Sequence, residues 1–407
     1  MLGAALAVVV GAAPFVGATP EARQVFGLVW STPIVESSPC ILSVVLPPSE
    51  QEHCAGWTRR ETAGPAFHAR LGVVVVGGGD RKLRGLDGHD GHALWERPTP
   101  GAVVSRPVLV DAAAYVATDD GRVLKVDVSS GRVRWETPVD AEITEPVVVQ
   151  DGAVFVVTGG DSTFALSAVT GEALWVHKHA LPRGITLRGR ALPLPVDVAL
   201  GDTVSRRLYV GHADGRISVL DRETGARLEE LDLSRGDAFG DIDADPLWHR
   251  VDGASRVIVA SHTRGLFALD PRTHAETWRN AEPGIVRLAN GGAPMIVAAG
   301  AGKVLGLDAR TGQTRWRFTF KKGAPTRLVV QGGRVHVGSD RGALYVLDLF
   351  SGRPLQYAGS GLGVAADVEV EGDMLFYTST SGAVTALSSA WRGPAHAVRT
   401  RADRARR

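Results

Sequence analysis

Cysteine, asparagine and aromatic residues are scarce in this 407-residue sequence, and neither sign of charge prevails. The two cysteines, Cys40 and Cys54, are too few for a disulfide-dense scaffold or a cysteine-based zinc cluster. Lys plus Arg number 45 and Asp plus Glu 44, so no global field favours nucleic acid and none is expected as a partner. The first residues, Met1 to Ala18, are almost wholly apolar, but the run is too short and too rich in small residues for a membrane span. It reads as a signal peptide, residues 1–18, with Val16 and Ala18 placed for cleavage before Thr19, although no Lys or Arg precedes it. In an exported protein two thiols pair more often than they stay free, so a Cys40–Cys54 disulfide is expected. The loop it would close is worth on the order of 3 kcal/mol. Neither cysteine sits in a lipobox, because Ser38-Pro39 precedes Cys40 and Glu52-His53 precedes Cys54. No lipid anchor and no transmembrane span are therefore expected in the mature protein.

What is abundant is glycine, valine and a repeat. One unit recurs: an apolar strand, a turn, a second strand ending in Leu-Asp, a Ser/Thr-Gly turn and then a tryptophan. Copies end at Trp95, Trp135, Trp175, Trp278 and Trp316. Two copies lack the tryptophan, and a last one, AVTALSSAW, is incomplete. The equivalent positions are Asp87, Asp127, Ser167, Asp221, Asp270, Asp308, Asp348 and Ser388, spaced 40, 40, 54, 49, 38, 40 and 40 residues apart. Eight copies at a period near forty, with short β-branched segments such as Ala153–Val157, predict an all-β, eight-bladed β-propeller of four-stranded antiparallel blades over residues 19–391. An α-solenoid of similar period needs helical periodicity and tolerates few glycines. Asp120-Gly121, Asp214-Gly215, Arg341-Gly342 and Ser381-Gly382 read as hairpin turns with positive φ. The aspartate of each Leu-Asp pair can accept N–H bonds across the turn that follows. The tryptophans recur on every side of the ring, so a structural role between blades is expected rather than cofactor stacking. The last copy stops near Leu387, while Gln24–Val35, with Trp30, matches the missing part of a unit. An N-terminal strand is thus expected to complete the final blade and leave no open sheet edge.

Three segments depart from the repeat. In repeat proteins such insertions mark loops on one face, often the binding face. Residues 36–66 form a Pro/Ser/Glu-rich insert holding both cysteines. Residues 176–200 combine Arg183, Arg188 and Arg190 with Ile185, Leu187 and Leu192, and suit a protein-binding loop. Residues 231–246 are acidic, with Asp237, Asp241, Asp243 and Asp245. The last two segments fall in consecutive blades and are expected to lie near each other, with Arg188 able to pair with one of these aspartates. Residues 392–407 read as a basic, disordered tail.

The repeat resembles that of PQQ-like propellers, and the inserted loops resemble those of the BamB family, the propeller subunits of the outer-membrane β-barrel assembly machinery. That family carries Leu-x-Leu-Arg-Gly followed by a proline. Here Ile185-Thr186-Leu187-Arg188-Gly189 stands, with Pro193 downstream. It carries Asp-Val-Asp-x-x-Pro in the following blade, and here Asp241-Ile242-Asp243-Ala244-Asp245-Pro246 stands. The resemblance implies a non-catalytic periplasmic scaffold associated with the outer membrane, a monomeric subunit of a complex with no cofactor. It implies a partner-binding site at Ile185, Leu187, Arg188, Asp241 and Asp243 for the barrel-forming subunit (BamA-like), with unfolded outer-membrane proteins as further partners. The chain departs from the family in lacking an anchoring cysteine directly after the signal. Another envelope protein as partner is the alternative that this leaves open.

The enzyme alternative is a PQQ-dependent dehydrogenase, or a sugar-active enzyme, on the same fold. The former needs calcium held by Glu, Asn and Asp and usually a disulfide between adjacent cysteines. Here the cysteines are far apart, and only Asn280 and Asn290 occur. His177-x-His179 and His89-x-x-His92 lack cysteine partners at zinc spacing, so no metal site is expected. Gly77-Gly78-Gly79 and Gly359-x-Gly361-x-Gly363 precede strands, not the helix N-terminus that holds a phosphate. No Ser or Cys nucleophile stands in an elbow motif.

Overall fold

The computed structural model describes residues 15–18, 25–34, 61–180, 191–234, 241–359 and 363–390. The strands form eight antiparallel sheets, each a meander from an inner to an outer strand. Blade 1 runs from Ala66 to Pro98, blade 2 from Val108 to Pro138, blade 3 from Val148 to Lys178 and blade 4 from Leu194 to Asp232. Blade 5 runs from Leu247 to Asn280, blade 6 from Arg287 to Thr319 and blade 7 from Val329 to Gly359. Blade 8 takes three strands from Glu369 to Ser388, and its outer strand is Gly27–Pro33, paired antiparallel with Ala383–Ser388. The predicted closure by the Trp30 strand is therefore present. The inner strands of successive blades neighbour one another around an axis, with Glu369–Glu371 beside Ala66–His68 where the ring closes. Phe15–Ala18 adds a fifth strand to blade 7, antiparallel to Pro354–Gly359. Cleavage before Thr19 would remove this strand and leave all four strands of every blade.

The second strand of a blade is apolar on both faces because another blade lies on each side. In blade 1 this strand, Val73–Gly77, is buried at every residue. The core is accordingly divided into eight clusters, one at each blade-to-blade interface. Blades 8 and 1, for instance, share Trp30, Val74, Val76, Leu86, Phe376 and Val384.

The tryptophans act at these interfaces. In all eight outer strands the register slips by one residue just before the tryptophan position, as between Val133 and Trp135. A bulge re-aims the side chain that follows it, here toward the next blade. Trp95 Nε1 donates to the Val128 carbonyl at 2.9 Å, and Trp316 Nε1 to that of Leu349 at 2.8 Å. Trp30 does the same to Gly88 at 2.9 Å, which latches blade 8 to blade 1. The indole covers the glycine that ends the receiving Asp turn. At Gly131 (φ +68°) a Cβ would stand 2.5 Å from Trp95 Cε3. The turn itself is held by Asp127, whose Oδ1 accepts N–H bonds from Ser129 and Ser130 at 3.2 and 3.1 Å. Of the four hairpin turns expected to need positive φ, Gly121, Gly215 and Gly382 have it and Gly342 does not.

Two interfaces use other chemistry. Blade 4 has Glu229 in the tryptophan position, and blade 5 has His274 in the glycine position. His274 Nδ1 lies 2.6 Å from Glu229 Oε2, so the pair replaces the Trp–Gly latch. Blade 7 has Gln356 there. Its Oε1 accepts the N–H groups of Val25 and Phe26 at 2.8 and 2.7 Å, and its Nε2 donates to the Phe26 carbonyl at 2.7 Å. Gln356 thus fastens the N-terminal segment as it enters blade 8.

Candidate functional site

The connections between blades share one face with the turns joining the second and third strands. The two loop families bond to each other around the ring: Asp119 N–H to Ala102 O at 2.9 Å, Gly159 N–H to Glu142 O at 2.8 Å, and Gly284 N–H to His262 O at 2.7 Å. All three irregular segments include an interblade connection, so all three reach this face. Part of their length is strand. Residues 176–178 end the outer strand Ala173–Lys178, residues 194–200 form the first strand of blade 4, and residues 231–232 end Arg227–Asp232.

Asp241 and Asp243 sit on this face between blades 4 and 5, yet only 2% and 5% of their surface is exposed. Between them Ile242 is buried among Val196, Tyr209 and Val257. Its N–H donates to the His212 carbonyl at 3.2 Å, and the Asp241 carbonyl accepts from His262 N–H at 3.0 Å. Asp243 Oδ2 lies 3.6 Å from His262 Nδ1. The stretch is therefore bolted to two neighbouring turns, with its acidic side chains turned into the protein. Ile185, Leu187 and Arg188 lie outside the described residues, as do Cys40 and Cys54. The expected pairing of Arg188 with an aspartate falls outside them as well.

Asp245 ties the two irregular connections together. Its Oδ1 accepts the Leu192 N–H at 2.7 Å, and its Oδ2 takes a hydrogen bond from Arg327 Nη1. Arg327 also donates through Nη2 to Glu145 Oε2 at 2.8 Å and through Nε to Asp367 Oδ2 at 3.1 Å. Glu145 precedes the inner strand of blade 3 and Arg327 that of blade 7, half a ring apart. The guanidinium therefore reaches across the axis and binds carboxylates from blades 3, 5 and 8. Burial pushes the Glu145 carboxyl above its ordinary range, opposed by Arg287 and Arg327. Burial likewise raises Glu369, against its ion pair with Arg106 of blade 2. A cavity of about 560 Å³ lies beside this second pair, lined by Phe67, His68, Arg70, Asp111 and Glu371.

Sequence reasoning missed this axial cluster. One signal was available: a charged residue stands just before the inner strand in blades 2, 3, 5, 7 and 8, as Arg106, Glu145, Asp245, Arg327 and Asp367. The five predicted tryptophans lie away from this cluster. Trp95, Trp135, Trp175, Trp278 and Trp316 all donate to carbonyls of the following blade. Among the described residues no helix is long and apolar enough to cross a membrane.

Repeat, latch and closure define a PQQ-like repeat propeller of eight blades. Over residues 29–129, 103–299 and 300–402 the chain matches the family model described as outer membrane protein assembly factor BamB, and it belongs to that family. It is 22% identical over 249 residues to the outer membrane protein assembly factor BamB of Shewanella oneidensis, which covers 60% of this chain and 50% of that protein. The chain thus spans about half the length of this curated relative. The structure of BamB from Moraxella catarrhalis superposes with a TM-score of 0.68 at 22% identity, covering 81% of this chain and 96% of that one. The quinohemoprotein alcohol dehydrogenase of Comamonas testosteroni gives 0.66 at 14% identity, covering 92% and 78%. At such identities these two likenesses establish the fold alone.

Proposed function

We propose that the protein is a non-catalytic periplasmic scaffold of outer-membrane protein assembly. It binds the barrel-forming subunit of the machinery, and unfolded outer-membrane proteins, through the loop face of blades 4 and 5. Family membership across nearly the whole ring is the observation that carries this reading. The geometry supports it. Two enlarged connections stand side by side on one face, and Asp245 braces them against Arg327. In this reading Ile185, Leu187 and Arg188 supply the contacts. Asp241 and Asp243, being buried, shape the neighbouring stretch instead of touching the partner. A rigid frame suits protein recognition, because little conformational entropy is lost outside the contact itself.

The test is a pull-down from envelope extract with wild type and the Leu187→Ala/Arg188→Ala variant. Loss of the barrel-forming subunit from the variant is expected, and equal recovery overturns the assigned patch. Addition of PQQ and calcium is expected to give no dye-linked turnover; turnover would overturn the scaffold reading in favour of a dehydrogenase.

A further inference from the structure

Between blades 3 and 4, on the loop face, three side chains from three separate elements converge. Asp161 lies in the turn joining the second and third strands of blade 3. His179 follows blade 3's outer strand, and His212 follows the second strand of blade 4. One ligand atom from each lies within 4.8 Å of those from the other two. The Asp161 and His212 side chains are fully buried, and that of His179 is 8% exposed. His212 Nδ1 is 3.1 Å from Asp161 Oδ1. The other carboxylate oxygen, Asp161 Oδ2, is buried and has no hydrogen-bond partner among the described residues. A buried acceptor left unmatched costs about 1–3 kcal/mol, and more when charged. The turn also holds Asp161 at φ +59°, a conformation a non-glycine residue seldom adopts.

We propose that Asp161, His179 and His212 bind a divalent transition-metal ion of the zinc class, with Asp214 and Ser218 orienting the two imidazoles. Imidazole nitrogen and carboxylate oxygen are ordinary zinc donors, and three protein ligands leave the fourth position of a tetrahedron to water. A metal-binding histidine characteristically has its other ring nitrogen held by an outer carboxylate, hydroxyl or carbonyl. Both histidines meet this condition. His179 Nε2 lies 3.0 Å from Asp214 Oδ2, and His212 Nε2 lies 2.8 Å from Ser218 Oγ. Each ring thereby keeps Nδ1 for the ion. Without metal, a proton on His212 Nδ1 can bridge to Asp161, and metal binding releases it. The two rings stack at 3.7 Å with 13° between their planes. Both lone pairs can reach one ion only if a ring tilts, and His179, with 8% of its side chain exposed against none for His212, is the one nearer the surface.

The site stands at the root of both irregular connections. His179 lies two residues before 181–190, and the His212 carbonyl holds Ile242 N–H. Linear spacing concealed it, because only His179 belongs to a His-x-His pair and its partners come from two other turns.

Chelator-stripped protein is titrated with Co²⁺, read by visible ligand-field absorption, and with Zn²⁺ in competition. One ion per chain is expected. His179→Ala, at the rim, and His212→Gln should each weaken binding by about 100-fold, and Asp214→Asn by about 10-fold, with thermal melts checking that each variant folds. His92→Ala, in the partly exposed Asp87–Asp90–His92 cluster, should change nothing. Absence of Co²⁺ binding to wild type at about 1 mM overturns the proposal, as does binding that survives His179→Ala and His212→Gln, whatever His92→Ala does. None of these readouts involves a protein partner, so failure here and failure of the scaffold reading are separate outcomes.

Discussion

Replacing His336 by phenylalanine will remove a large part of the protein's sensitivity to mild acid. His336 lies on the second strand of blade 7, opposite Val329 of the inner strand. Sister blades place Tyr115, Phe155 and Phe376 in the same register position. It is 1% exposed and meets the ring of Phe26, on the closing segment, edge-on at 5.6 Å. Burial, with a smaller contribution from Arg334, pushes the imidazole down to about 3. The unfolded chain binds that proton with a pKa near 6.5. The folded value is depressed, so the associated stability is present above pH ~6.5 and lost as pH falls toward the folded value. By linkage the loss from this one group is about 2 kcal/mol at pH 5 and about 3 kcal/mol at pH 4. His177 and His249 are also lowered by burial and add to the slope in both proteins, so the difference between wild type and His336→Phe isolates His336. Urea unfolding at pH 7 and pH 5 measures it. The variant should lose about 2 kcal/mol less than wild type over that interval. An equal loss in both proteins would refute the argument that burial holds His336 neutral.

The blade latches make further predictions. Trp278 is 7% exposed over Gly312, and Trp278→Ala should cost about 3–5 kcal/mol in chemical denaturation. At the exceptional interface, Glu229→Trp and His274→Gly should each destabilise alone. Together they should recover stability by rebuilding the regular latch, a coupling of about 1–3 kcal/mol in a double-mutant cycle. Arg327→Ala leaves the Glu145, Asp245 and Asp367 carboxylates together without their shared cation, and should cost about 3 kcal/mol in urea unfolding. Adding Asp367→Asn should return part of that loss. If Arg327→Ala melts like wild type, the axial cluster contributes nothing to the ring.

The fold was legible because its determinants are local and recur. A glycine four residues after the aspartate and a tryptophan eight residues after it lie within one turn and one strand, and their recurrence counts the blades. The closing strand was legible too, since Trp30 repeats a pattern whose complement is missing after Leu387. The Glu229–His274 pair escaped because each residue, read alone, is only a missing consensus residue. The compensation shows only when adjacent blades are superimposed. The axial cluster escaped more completely. Arg327 meets Asp245 and Glu145 across 82 and 182 residues, and each charge taken singly looks like an ordinary residue before a strand.

By itself the sequence determined the number of blades, the strand and turn chemistry within each, and the closure, since these depend on hydrogen bonds and apolar alternation over a few tens of residues. Only the tertiary structure decided which side chains meet at the axis, which substitutions compensate between blades, and which histidines gather between blades 3 and 4. It also turned Asp241 and Asp243 inward, where the sequence shows only an acidic stretch. Those outcomes depend on distances around a closed ring, and no spacing along the chain encodes a distance across it.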